Sequence, residues 1–267
     1  MDFKIRIPFG RTGVMVNKIG LASGYGVSAK GIERAYHEYG INYFYVSPLL
    51  NIGAMVQAMR NLLVHRDDLF VVQARPYLKG FGGRNLERYV DKWLGKLGLE
   101  CVDLLLQDVR REFKPKLMDD IRKLKEVGKI RFAGISSHDR SLFPRIALGE
   151  VEVPSDFFHV RYNAAHTGAE QDIFPHLPAA NRPGIGIYTA TCWRKLLKAK
   201  NMPEGTKPLT AAECYRFVLS NPDVEVCLTA PKTVEQMAEN FKALEAGPLD
   251  IDEMERVRRI GTYVYGK

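Results

Sequence analysis

Eight short apolar runs recur along this chain with helical patterns between them, and that alternation constrains its fold more than any other feature. The runs fall at 18–22, 42–46, 69–74, 102–107, 130–135, 157–160, 184–189 and 224–229. Helical periodicity fits 29–39, 52–64, 85–97 and 115–127, and each later run is again followed by a loop and a helical pattern. Strands separated by helices pair in parallel, because a parallel neighbour is reached only through a long crossover. A closed barrel of such units takes about 250 residues, and this chain has 267. The expected fold is therefore α/β, a (β/α)8 TIM barrel, in a single domain over 1–267. Ahead of the first run, 4–7 alternates, 9–13 turns and 14–16 alternates again, which is a β-hairpin signal. The tail 250–262 opens with Asp250, Asp252 and Glu253 in its first turn and reads as a capped C-terminal helix.

Composition narrows the function classes. At 46% hydrophobic residues the chain has enough apolar mass for a sizeable core. No apolar run approaches the roughly 18 residues of a membrane span, and the opening Met-Asp-Phe-Lys-Ile-Arg carries no signal-peptide block, so a soluble, cytoplasmic protein is expected. Cys101, Cys192, Cys214 and Cys227 are widely spaced without a C-x-x-C pair. This argues for free, buried thiols and against a disulfide framework or a metal site. The formal charge of +8 comes from basic residues interleaved with acidic ones, as in Asp119-Asp120-Ile121-Arg122-Lys123-Leu124-Lys125-Glu126. That pattern argues against nucleic acid as a partner, while an anionic cofactor would benefit from the same field. The expected partner is a small-molecule substrate, with no membrane, and the chain acting as a monomer or weak homo-oligomer.

The candidate site centres on Gly128–His138, Gly-Lys-Ile-Arg-Phe-Ala-Gly-Ile-Ser-Ser-His. Here a turn at Gly128 leads into an apolar strand, and Ser136, Ser137 and His138 follow at its carboxyl end, where parallel α/β folds bind their ligands. His138 is read both as a candidate base and as a loop histidine bonded to backbone. Ser23-Gly24-Tyr25-Gly26, after the first barrel strand, is a small-residue loop of the kind that lets backbone approach a ligand. Arg194 and Lys195, beside Trp193 in the loop after the seventh strand, are suited to a pyrophosphate or are simply solvated charges. Lys232 and Thr233, a cation and a hydroxyl at a helix start, make an anion site or an ordinary cap.

These stretches resemble the aldo-keto reductase superfamily, whose central strand typically reads Gly-Lys-Ile-Arg-x-Ile-Gly-Val-Ser-Asn. The resemblance covers nearly the whole chain. Phe-Gly-Arg-Thr-Gly-Val-Met-Val-Asn-Lys-Ile-Gly-Leu is similar to the hairpin that plugs the family's barrel bottom, and Val160-Arg161-Tyr162-Asn163 stands where the family has Val-Glu-Tyr-Asn. The stretch 228–240 is similar to the adenosine-binding segment. The resemblance implies NADP(H) as cofactor. It places Ser136, Ser137, His159 and Thr189 around the nicotinamide, with neighbouring Tyr188 as a substitute for Thr189. It places Lys232, Thr233, Gln236, Glu239 and Asn240 around the adenosine and its 2′-phosphate. His159 stands at the family's carboxamide-binding Gln, and Thr189 at its stacking aromatic.

The family's proton donor is a Tyr tuned by a Lys–Asp pair, with a His orienting the carbonyl oxygen. Here Tyr45 takes the place of the Asp, Leu50 of the Tyr, Arg75 of the Lys, and Asp108 of the His, or Gln107 if one residue is deleted. The chain is thus identified as a divergent member lacking the usual tetrad. The candidate catalytic residues are Tyr45, Arg75, Asp108 and His138. In this expectation Arg75 lowers the pKa of the Tyr45 phenol and Asp108 holds Arg75, or Arg75 and Asp108 form a structural ion pair. The leading reading is an NADP(H)-binding oxidoreductase acting on a carbonyl-type small molecule with a non-standard proton donor. A catalytically inactive NADPH-binding regulatory or sensor barrel is the alternative, and a redox-neutral barrel enzyme the third.

Overall fold

The computed structural model describes residues 2–49, 51–76, 85–109 and 115–266. In chain order, β1 (Ile7–Pro8), β2 (Met15–Val16) and β3 (Ile19–Ala22) lead to α1 (Ala29–Tyr39), β4 (Tyr43–Val46) and α2 (Gly53–Asn61). Next come β5 (Phe70–Arg75), α3 (Leu86–Leu97), β6 (Val102–Val109), α4 (Pro115–Glu126), β7 (Ile130–Ser137) and α5 (Leu142–Ala147). The remainder is β8 (Phe157–Arg161), α6 (Ala169–Asp172), β9 (Gly184–Tyr188), α7 (Ala211–Leu219), β10 (Val226–Thr229), α8 (Val234–Ala246) and α9 (Ile251–Tyr265). Strands β3 to β10 close into one parallel barrel, with β10 pairing back onto β3. The (β/α)8 barrel is therefore as expected, and β1 with β2 forms the separate antiparallel hairpin.

Local chemistry sets the element ends. The Ser28 and Asn85 side chains accept the Gly31 and Arg88 amides, at 3.2 and 3.0 Å, and cap α1 and α3. Gly40 and Gly98 close the same two helices at φ 68° and 73°, a conformation that costs glycine little. Asp250 and Glu253 form a reciprocal capping box on α9, whose expected start holds while its end runs on to Tyr265. The hairpin differs from expectation at its first strand. Residues 4–6 do not pair, because Arg6 turns away to bond Asp68 and the Gly40 carbonyl, leaving Ile7–Pro8 as β1. The four cysteines are free; Cys192, Cys214 and Cys227 are buried and Cys101 is partly so. Among the described residues no helix is long and apolar enough to cross a membrane.

Two apolar layers hold the barrel. Outward side chains of the strands pack under the helices, as Val71, Leu105 and Phe158 do. Inward ones such as Tyr43, Phe70, Val72, Leu104, Phe157 and Val226 fill the lumen. Phe9, from the hairpin loop, enters that lumen from below. Its ring centroid is 4.1 Å from Phe157, 5.7 Å from Tyr43 and 5.8 Å from Phe70, largely in edge-on or tilted contacts favourable for aromatic rings. The next residue has to be glycine: Gly10 has φ +53°, and a Cβ there would overlap the Gly184 backbone.

Removing this plug leaves a void the rigid strands cannot collapse into. Phe9→Ala is expected to lose about 3–5 kcal/mol, read as a lower urea midpoint at unchanged slope. Met15→Ala, on the exposed side of the same hairpin, is expected to stay within about 0.5 kcal/mol of the parent.

Candidate active site

A parallel barrel presents every strand's carboxyl end on one face, so register decides which side chains meet there. Asp108 on β6 stands opposite Ser136 on β7, and Ser136 opposite His159 on β8. These three line a cavity of about 640 Å³ together with Tyr45, Arg75, His138, Tyr188 and Thr189. Leu106 and Leu228 supply apolar wall between them.

His159 is fully enclosed. Its Nε2 lies 2.8 Å from the Tyr43 hydroxyl, a hydrogen bond between two groups that burial keeps uncharged. Burial lowers the imidazole pKa to about 3, and it pushes the Tyr43 phenol well above its ordinary value. Room for the pair comes from glycines: a Cβ on Gly20 would strike the Tyr43 ring, and one on Gly186 the His159 ring. His159 was expected to hold the nicotinamide. Its Nε2 bonds Tyr43 below, the Tyr45 ring stacks against it at 5.7 Å, and the imidazole lines the cavity.

The expected Tyr45–Arg75–Asp108 relay is not the arrangement found. Arg75 is in register with Gln107, and its Nη1 donates to Gln107 Oε1 at 2.6 Å. The guanidinium lies 6.0 Å from the centroid of the Tyr89 ring on α3. Its Nε is buried without a hydrogen-bond partner among the described residues. Side chains alternate across a strand, so Leu104, Leu106 and Asp108 share the inner face while Gln107 takes the outer one, where it meets Arg75 at the cavity rim. Tyr45 also shifts the opposite way from expectation. Burial drives its phenol pKa up, and the nearby phenols of Tyr25 and Tyr188 and the Asp108 carboxylate push in the same direction. Tyr45 therefore holds its proton at neutral pH. His138 is exposed at the rim and meets the Tyr188 ring edge-on at 6.1 Å. Leu50, set against the family's tyrosine, lies outside the described residues.

The cofactor candidates divide in the same way. Ser136 and Thr189 line the cavity, and the Thr189 Oγ1 is buried without a hydrogen-bond partner among the described residues. Ser137, one residue out of phase, is buried off the cavity, and its Oγ accepts the Asp139 amide at 3.1 Å. Arg194 and Lys232 line the cavity mouth, whereas Lys195 starts a 3-10 turn outside it. Thr233 caps α8 by accepting the Gln236 amide at 3.2 Å, and Gln236 Oε1 accepts the Lys232 amide at 3.0 Å. Glu239 pairs with Lys242, and the buried Asn240 donates to Thr229 Oγ1 at 2.8 Å. Of the five residues set against the adenosine, then, Lys232 lines the cavity, whereas Thr233, Gln236, Glu239 and Asn240 do not. The small-residue loop serves packing, since a Cβ on Gly26 would meet the Lys232 carbonyl oxygen at 2.7 Å.

Sequence reasoning missed three features. Tyr25 lines the cavity from the small-residue loop, and Tyr215 does so from α7, where it bonds Thr229 at 2.9 Å. The backbone after β9 is also unforeseen. Thr189, Cys192, Trp193 and Arg194 all have positive φ, between 49° and 66°, without a glycine among them. Each such residue costs about 1–2 kcal/mol. Strain of this kind clusters at ligand sites.

The Aldo/keto reductase family model matches residues 27–203. The chain belongs to the aldo/keto reductase family. Its fold is shared with aldo-keto reductase AKR11C1 from Bacillus halodurans. The holo form of that protein superposes with a TM-score of 0.75 at 18% identity, covering 96% of each chain. The apo form gives 0.73 at 18% identity, covering 96% of this chain and 95% of that one. No curated protein matches by sequence. The family match spans the strand ends carrying Tyr45, Arg75, Asp108, Ser136, His159 and Thr189, and Lys232 to Asn240 lie beyond it. Membership supports an oxidoreductase of the aldo/keto reductase type and a nicotinamide cofactor in general terms.

His159 gives a pH signature. Unfolded, the imidazole titrates at about 6.5; folded, at about 3. The unfolded state therefore binds the extra proton between these values. The stability the neutral imidazole contributes is fully present above 6.5 and is lost as pH falls toward 3. His159→Gln is expected to be less stable at neutral pH, yet to lose less stability than the parent between pH 7 and pH 4. Urea unfolding of both proteins at the two pH values checks this.

Proposed function

We propose that this aldo/keto reductase family member is an NADP(H)-dependent oxidoreductase acting on a small carbonyl compound, with a proton donor other than the family's usual one. The observation that carries the reading is the cavity at the strand ends, flanked by Arg194 and Lys232 and holding the orphaned Thr189 hydroxyl. A dinucleotide fits those groups: two cations for its phosphates, and a buried hydroxyl and Ser136 for a carboxamide. The strained loop bearing Arg194 is supporting, because its cost is accounted for if the loop must present a cation at that place. Gln236 uses its oxygen for capping but keeps its amide hydrogens and so remains able to assist Lys232, whereas the Thr233 hydroxyl is engaged by the Glu235 carboxylate.

Bound there, the cofactor supplies a hydride for a carbonyl carbon. The chain's own part is to hold the carbonyl oxygen and give it a proton. Tyr45 is the proposed donor, as a phenol that burial keeps protonated at the mouth. Tyr188 is a second, with a pKa raised by burial to about 12 and opposed by the Arg161 charge. Asp108 and Ser136 add acceptor and hydroxyl capacity on the same wall, and the apolar Leu106 and Leu228 exclude water. In the same reading the chain is one domain over 1–267, working in the cytoplasm as a monomer or weak homo-oligomer.

Lys232→Ala tests the cofactor. A charged contact to a 2′-phosphate contributes about 1.5–3 kcal/mol. Fluorescence titration is expected to show NADPH weakened roughly tenfold to a hundredfold, with NADH almost unchanged. An equal loss for both cofactors, or no binding by the parent protein, removes the NADP(H) assignment. Oxidation of NADPH by simple aldehydes or quinones tests turnover, and Tyr45→Phe is expected to lower kcat while sparing NADPH binding. Tight binding without turnover by any of these turns the reading to a regulatory barrel.

A further inference from the structure

The opposite, amino-terminal end of the barrel carries a second cleft, of about 490 Å³, between the hairpin and the loops before β9 and β10. Its walls are mostly apolar, with Ile5, Ile7, Pro8 and Val224 contributing, and Lys18 and Glu225 line it from within. Lys18 is only 3% exposed. Among the described residues its ammonium has no hydrogen bond or ion pair, and its contact is the face of Phe3, 5.5 Å away. A buried ammonium without a partner is costly, and the inexpensive escape is to become a neutral amine. Burial does lower its pKa, against an opposing pull from Glu225.

Glu225 is buried beside it. Its Oε1 accepts Arg182 Nη2 at 2.8 Å and its Oε2 accepts the Ile185 amide at 2.7 Å. Burial nonetheless raises its pKa to about 7, against the lowering effect of Arg182 and the Ile185 amide. The other charged groups facing the cleft are Asp2, Arg11 and Arg182. Arg182 is neutralised by Asp223 as well as Glu225, and Arg11 faces Asp156 at 3.7 Å. A merely structural lysine would be paired like these arginines. Lys18 is the cation left over, and its cleft is open to a small molecule.

We propose that Lys18 and Glu225 form a second site, remote from the barrel mouth, that takes small apolar aldehydes as a reversible imine on the Lys18 amine. The nitrogen lone pair forms a C–N bond to the aldehyde carbon, and the carbonyl oxygen takes a proton as the amine gives one up. Glu225 then protonates the departing hydroxyl, water leaves, the C=N bond forms, and the remaining nitrogen proton returns to the Glu225 carboxylate. One aldehyde and one amine thus give one imine and one water, with no change in oxidation level.

Reductive trapping tests this. The full-length protein is treated at pH 7 with butanal and cyanoborohydride, and alkylated lysines are quantified by peptide mass mapping. Lys18 is expected to label about tenfold or more faster than the exposed Lys198 and Lys200. Saturating NADPH is expected to leave that rate unchanged, which separates this site from the mouth. Lys18→Arg is expected to lose the fast adduct, and Glu225→Gln to slow it about tenfold or more. Should Lys18→Arg not fold, the parent's rate ratio decides alone. Labelling of Lys18 no faster than Lys198 and Lys200 overturns the proposal, and an unchanged rate in Glu225→Gln overturns the acid role.

Discussion

The structure depends on one packing event, the insertion of Phe9 between Phe157, Tyr43 and Phe70 in the barrel lumen. A parallel barrel has two open ends and a lumen that only side chains can fill. With Phe9 seated, the lower lumen is apolar and closed, and the strands' inward residues change character above it. Tyr43 marks the transition: its ring belongs to the aromatic layer, and its hydroxyl reaches His159 in the layer above. Everything polar that points inward beyond that level opens on the mouth. Among the described residues the hairpin lines none of the mouth cavity, and by closing the lumen below it gives that cavity its floor.

The same geometry explains why two buried titrating clusters sit at opposite poles. At the mouth, burial neutralises His159 and keeps the phenols of Tyr45 and Tyr188 protonated. Arg194 and Lys232 carry charge nearer solvent, and Arg75 carries it from a buried position against Gln107. At the base, the strands begin among backbone amides still in need of acceptors, and the carboxylates of Glu225 and Asp103 enter to serve them. Asp103 accepts the Val71 amide at 2.8 Å and pairs with Arg66 and Arg131. Glu225 does the equivalent for Ile185. Each such carboxylate brings arginines with it, and Lys18 beside Glu225 is the cation that this scheme leaves without a direct partner.

Much of this was readable in the residues, and the limits are physical. Eight apolar runs suffice to count the strands, because a strand buried on both faces has little freedom to be anything else. The mouth was legible as a set of strand ends, so Tyr45, Asp108, Ser136 and His159 fall where expected. Pairings at those ends were not legible. A strand's last residues alternate faces, and a single step decides that Arg75 meets Gln107 and not Asp108. Tyr43 and His159 are separated by 116 positions and meet only once the barrel closes. Cys192, Trp193 and Arg194 carry no signal for a left-handed backbone, since residues of these types rarely adopt it. Burial, which sets the direction of every phenol shift at the mouth, is a property of the closed barrel.

The upward shift of the phenols bears on the direction of chemistry in the proposed reading. An alkoxide formed by hydride addition is the conjugate base of an alcohol, which is a far weaker acid than a phenol. A phenol raised to about 12, as Tyr188 is, still gives its proton to such an oxygen downhill. Proton donation therefore survives without a cation tuned to the donor, and Arg75 is not required to act on Tyr45. The reverse step fares differently. Oxidising an alcohol needs a base at the same place, and a phenol held protonated by burial supplies almost no phenolate at neutral pH. The neutral His159 is a poor substitute, because burial lowers its pKa to about 3 and makes it a weak base. In the proposed reading the neutral phenols of Tyr45 and Tyr188 are thus matched to delivering protons, with the Asp108 carboxylate as an anionic acceptor on the same wall.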